Sequence, residues 1–95
     1  MSNKTIYKQL IEKFGAEAQI IVAIEELSEL QKELCKRLRG EAGIRKISEE
    51  MADVEIMLEQ LKLIFENEHP VSLEKDYKIN RIKERYFNEQ SYTLN

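Results

Sequence analysis

Two pairs of carboxylates interrupt the apolar faces of segments that otherwise read as amphipathic helices. At about 100° per residue, Glu50 projects into the apolar stripe of its helix, between the directions of Met57 and Leu61, with Ile47 and Val54 nearby. Asp53, three residues on, lies at the edge of that stripe. In an earlier segment Glu26 has Val22 four residues before it and Leu30 four residues after it, Glu29 is its i+3 neighbour, and Glu33 continues the row. An unpaired buried carboxylate costs several kcal/mol or takes up a proton instead. Four of them converging would repel one another, and a hard divalent cation relieves that repulsion. Oxygen donors at about 2.0–2.1 Å suit Mg²⁺, which keeps several waters and also binds substrate phosphates. The alternative for any E-x-x-E pair in a Glu-rich helix is a solvated acidic face, or pairing with lysines along the same helix.

A basic stripe is compatible with phosphate as the ligand. Lys75, Lys78, Arg81 and Arg85 run beside the apolar Ile79, Ile82 and Tyr86 on the last helical segment. Such cations can clamp a polyphosphate, with arginine able to make bidentate contacts. The competing reading is a solvated basic face that pairs with the acidic helices.

Helices must position these groups. The chain has 95 residues with only 3 Gly and 1 Pro, too few turn formers for a sandwich of many short strands. The pattern predicts a first helix over about Lys4 to Phe14, stopped by Gly15, and a second over about Ala16 to Arg39 with Gly40 as its cap. After a loop over residues 40–47, Ser48 reads as the cap of a third helix reaching about Asn67. Pro70 closes the next loop, Ser72 reads as a cap, and a fourth helix runs from Leu73 to about Phe87. The expected fold is all-α, a four-helix bundle in a single domain over 1–95, with a tail at 88–95 expected to be mobile. The third helix also carries a second apolar line, Ala52, Ile56 and Leu63, roughly opposite the first. That favours either a fully enclosed central helix or a homodimer or homotetramer.

Composition removes other classes. With 15 Lys+Arg against 18 Asp+Glu the net charge is −3, opposite to the basic balance of a general nucleic-acid binder, so no nucleic-acid polymer is expected as partner. No apolar run approaches the roughly 20 residues of a membrane span, and residues 1–10 lack the apolar segment of a secretory signal. The expected location is therefore cytoplasmic. One Cys and one His (Cys35 and His69) cannot assemble a Cys/His zinc site within one chain, and Cys35 sits at an apolar helical position that reads as a core thiol.

Glu25-Glu26-Leu27-Ser28-Glu29 followed by Glu50-Met51-Ala52-Asp53 resembles the E-E-x-x-E … E-x-x-D signature of the MazG-like all-α nucleoside triphosphate pyrophosphohydrolases. This superfamily also contains dimeric dUTPases and phosphoribosyl-ATP pyrophosphatase. The likeness covers about residues 16–87 and includes helix order. It implies an oligomeric helical bundle that binds Mg²⁺, or Mn²⁺ in its place, through Glu26, Glu29, Glu50 and Asp53. It implies hydrolysis of a nucleoside triphosphate between the α- and β-phosphates to a monophosphate and pyrophosphate. Glu26 or Glu29 is the expected acceptor of the attacking water's proton. Family members often carry a Lys and an Arg on the helix after E-x-x-D, the positions that Lys78 and Arg81 take here, with Arg85 one turn further on. Base and sugar recognition would fall to the first helix and a partner subunit. Val54-Glu55-Ile56-Met57 replaces the Tyr-His-rich run of the phosphoribosyl-ATP branch. A non-catalytic helical adaptor and a nucleotide-sensing module that keeps the metal site are the competing functions.

Overall fold

The computed structural model describes residues 1–87, so the expectation of a mobile tail at 88–95 lies outside the described residues. Those residues form four helices and no strand: α1 (Asn3–Phe14), α2 (Ala16–Leu38), α3 (Ile44–Ile64) and α4 (Glu68–Phe87). The all-α expectation is met.

Local chemistry explains most boundaries. Ser2 caps α1, its hydroxyl accepting from the Thr5 amide at 3.1 Å. Gly15, at φ 93°, lets the chain leave α1 and re-enter a helix one residue later. Gly40, at φ 76°, turns the chain out of α2 into a loop, where the Glu41 amide returns to the Lys36 carbonyl at 2.8 Å.

Two starts differ from expectation. Ser48 is not the cap of α3. The helix begins five residues earlier, after Gly43, and the Ser48 hydroxyl donates back to the Ile44 carbonyl at 2.8 Å. The preceding loop is tied down by Arg37, whose Nη1 donates to the Ala42 carbonyl at 3.2 Å, and by burial of Ala42. Ser72 likewise lies inside α4, because Pro70 sits in the first turn, where the missing amide of proline leaves no helical bond unmade. Asn67 precedes that helix, its carbonyl accepting from the Val71 amide at 3.0 Å. Its side-chain Oδ1 is buried without a partner, since the residue three positions on, the usual donor to such a cap, is Pro70.

α2 and α3 form an antiparallel hairpin, and α1 packs across both. Ala23, Ile47, Val54 and Met57 form the centre of the hairpin, with Ala42 closing one end. α4 does not pack along any of the other three helices, and none of its residues is buried. The radius of gyration is accordingly 17.0 Å, against about 12 Å for a compact domain of this length. Several large apolar side chains are exposed: Ile24, Leu27, Leu34 and Leu38 on α2, Met51 and Leu58 on α3, and Phe65 just after it. Cys35 is exposed rather than a core thiol.

Candidate metal centre

The α2/α3 register decides which acids meet. Gln19 lies opposite Gln60, its Nε2 donating to the Gln60 Oε1 at 2.7 Å. Seven residues along each helix, two turns on, Glu26 lies opposite Asp53, and another seven bring Glu33 opposite Lys46. A polar pair therefore recurs every second turn along the seam, which also buries Glu50.

At the middle rung Glu26, Glu50 and Asp53 each place a carboxylate oxygen within 4.8 Å of the other two. Glu50 is 6 % exposed, Glu26 is partly buried, and Asp53 opens to solvent. Burial pushes the Glu26 carboxyl above its ordinary value, followed by the charges of Asp53 and Glu50, a hydrogen bond with Asp53, and the charge of Glu29. Glu29 thus acts on Glu26 through its field, but stands outside the group of converging oxygens and is exposed.

Lys46 supplies the local positive charge. Its ammonium lies 3.1 Å from Glu50 Oε1 and 3.9 Å from Glu49 Oε2. Its pKa is raised, chiefly by the hydrogen bond and charge of Glu50, against a lowering from burial, with Glu49 and Glu33 adding smaller raises. Buried Glu33 pairs with Lys36 at 3.5 Å. Lys46 was legible in the sequence as the residue one turn before Glu50, but the i, i+4 spacing is common enough in a charged helix to pass unnoticed.

The donor set of the middle rung is all oxygen, with no imidazole or thiolate among the three converging groups. Three carboxylate oxygens within 4.8 Å of one another could close on one hard cation by moving nearer to each other, since neighbouring oxygens on an octahedral Mg²⁺ stand about 3 Å apart.

The basic stripe is elsewhere. Lys78, Arg81 and Arg85 line a shallow hollow of about 180 Å³ on α4 with Ile82 and Tyr86. The Arg81 and Arg85 guanidinium groups lie 5.9 and 6.0 Å from the Tyr77 and Tyr86 rings. Because α4 packs along neither α2 nor α3, this stripe does not reach the acidic centre. A larger cavity of about 500 Å³ between α1, the end of α3 and the first turn of α4 is lined by both signs of charge, among them Lys4, Lys8, Lys62, Glu12 and Glu66. Beside it the Tyr7 hydroxyl bonds to Glu59, which raises the phenol's pKa.

Comparison of the chain with protein-family models, with characterised proteins and with solved structures returns no match.

Proposed function

We propose that the chain is a Mg²⁺-dependent nucleoside triphosphate pyrophosphohydrolase of the MazG-like type, working as a homo-oligomer in the cytoplasm. The observation that supports this reading is the convergence of Glu26, Glu50 and Asp53 from two antiparallel helices, in the order and spacing of the E-E-x-x-E … E-x-x-D signature. When bound there, a divalent cation would neutralise phosphate charge and lower the pKa of a water. The chain's own part is to hold that cation with Glu26, Glu50 and Asp53, and to accept the water's proton. Glu26 or Glu29 is the candidate for the second task, and Glu29 stands outside the three converging oxygens, where it would stay free of the metal. Water oxygen bonds to the α-phosphorus as the bond from that phosphorus to the α,β-bridging oxygen breaks, and the leaving group is pyrophosphate. Lys78, Arg81 and Arg85 would hold the phosphates from an α4 brought to the centre by a hinge at Asn67 or by another copy.

The test is a panel of ordinary and base-modified nucleoside triphosphates incubated with Mg²⁺ or Mn²⁺. Pyrophosphate and monophosphate are expected from at least one. Label placed in the γ-phosphate and recovered directly as orthophosphate, with no pyrophosphatase present, would exclude the proposed bond. Tight nucleotide binding without product would favour the sensing module, and indifference to both metal and nucleotide would favour the adaptor.

A further inference from the structure

Two buried carboxylates flank Lys46, and it pairs with only one of them. Glu50 lies one turn further along the same helix, its Oε1 3.1 Å from the ammonium. Glu33 stands across the hairpin on α2, seven residues from Glu26, as Lys46 stands seven residues from Asp53. The charge of Glu33 is felt at Lys46, but the two make no ion pair. Glu33 is 5 % exposed and poorly provided for. Lys36 stands 3.5 Å from its Oε1, beyond the roughly 2.7–2.9 Å of a charge-assisted hydrogen bond. Among the described residues no group pairs with its Oε2. A carboxylate so enclosed is costly unless it is paired and hydrogen-bonded.

Lys46 is loosely held in its turn. It is the third residue of α3, where the helix dipole opposes a cation. A lysine four residues before a glutamate is the weaker order of that pair. Its flexible four-carbon stem lets the ammonium pass from one acid to the other by side-chain rotation alone.

We propose that Glu33 is the second station of Lys46: when a divalent cation takes Glu50, the ammonium crosses the hairpin to Glu33. The proposal rests on the cation reading of Glu26, Glu50 and Asp53, and makes Lys46 and Glu33 positioning residues outside the ligand set. Both ion pairs in the structure, Lys46 with Glu50 and Lys36 with Glu33, lie within one helix. The crossed pair joins α2 to α3, so loading the centre fastens the start of α3, and the loop before it, to α2. Glu49 is the weaker destination. It is half-exposed, already 3.9 Å from Lys46, and has Arg45 at 3.6 Å. Solvent is weaker still, because it leaves Glu33 buried with one distant partner.

The test is a double-mutant cycle of Glu33→Gln and Lys46→Gln, read as Mn²⁺ affinity by calorimetry and as urea denaturation in EDTA. Glu33→Gln alone is expected to lower Mn²⁺ affinity about tenfold, equivalent to about 1.4 kcal/mol, although Glu33 is no ligand. In the Lys46→Gln background the same change is expected to have far less effect, and Glu49→Gln is expected to show no such dependence on Lys46. In EDTA the cycle is repeated on Glu50→Gln, which frees Lys46 without metal, and the coupling of Lys46 to Glu33 is expected to exceed that in the wild-type background. In the unmutated chain, labelling of Lys46 by an amine-reactive reagent, read by mass spectrometry, is expected not to rise on saturation with Mn²⁺. This last measurement decides the matter if Glu33→Gln does not fold. Additive effects on Mn²⁺ affinity, a coupling that Glu50→Gln leaves unchanged, or faster labelling with Mn²⁺ bound each overturns the proposal. A wild type that binds no Mn²⁺ overturns the cation reading and the crossing with it, whereas normal Mn²⁺ binding with an additive cycle overturns the crossing alone.

Discussion

Lys46 holds its ammonium 3.1 Å from the buried carboxylate of Glu50, one turn further along the same helix. The pair places a monovalent cation of the protein's own at the centre where Glu26, Glu50 and Asp53 meet. Because Lys46 is half-exposed, it can leave Glu50 at little cost when a better cation arrives.

Glu50→Gln is therefore expected to leave metal-free stability unchanged or raised. It relieves repulsion with Glu26 and Asp53 while the lysine turns away. Mg²⁺ affinity should fall on the order of a hundredfold, about 3 kcal/mol, with turnover lost. Melting in EDTA and in Mg²⁺, together with pyrophosphate release, checks both signs. A Glu50→Gln chain that melts much lower in EDTA yet turns over normally would make Glu50 a structural partner of Lys46 rather than a ligand.

Lys46→Gln should move the same measurements the other way. With the ammonium gone, the buried Glu50 carboxylate loses its partner and the carboxylates repel without compensation, so the metal-free melt is expected to fall. The increase in melting temperature on adding Mg²⁺ or Mn²⁺ should grow, because the incoming ion no longer displaces a lysine. An unchanged increment would show that Lys46 and the cation do not compete.

Glu26 gives the metal-free protein a definite pH dependence. Its folded pKa is raised above the ordinary 4.5, so between those two values the folded chain binds more protons than the unfolded one. Stability then falls as pH rises through that window, and is regained on acidification. Melts in EDTA across the window should show this slope in wild type and a smaller one in Glu26→Gln. Equal slopes in both would assign the effect to other carboxylates.

Gln19 and Gln60 are each other's partner inside the hairpin, and Gln60, 1 % exposed, is the most enclosed large side chain among the described residues. Removing either alone strands a buried amide at about 1–3 kcal/mol, whereas replacing both with leucine should recover most of that loss. A double-mutant cycle by urea denaturation measures the coupling. Because this pair sets the register that places Glu26 opposite Asp53, Gln60→Leu should also weaken Mn²⁺ binding.

Arg81→Ala should separate substrate binding from metal binding. Losing a charge-assisted contact worth about 1.5–3 kcal/mol raises KM for the triphosphate ten- to a hundredfold, while the Mg²⁺-dependent shift in melting stays at its wild-type value. Lys78→Ala and Arg85→Ala should follow the same split. A KM that none of the three changes would leave α4 as a solvated basic face.

The helices themselves are written locally. Period-3.6 patterning, Gly15 and Gly40 place the ends of α1 and α2 to within a residue, since a positive φ is a property of a single position. The acidic pairs are equally local, because i, i+3 spacing on one helix needs no partner. The starts of α3 and α4 were not legible in the same way. Ser48 and Ser72 have good capping chemistry, but Arg37 fastening the Ala42 carbonyl favours the earlier start of α3, and Pro70 fits the first turn of a longer α4.

What the sequence determined by itself, then, is which residues share a helix face. Which faces meet was decided in three dimensions. Glu26 joins Glu50 and Asp53 while Glu29 does not, because the register marked by the Gln19–Gln60 pair aligns one acid of the first pair and leaves the other about 60° round the helix. Leu34 and Leu58 carry the same apolar signal as Ala23 and Val54, yet only the latter two are buried. Hydrophobic periodicity records that a side chain should leave water, and not which surface will cover it.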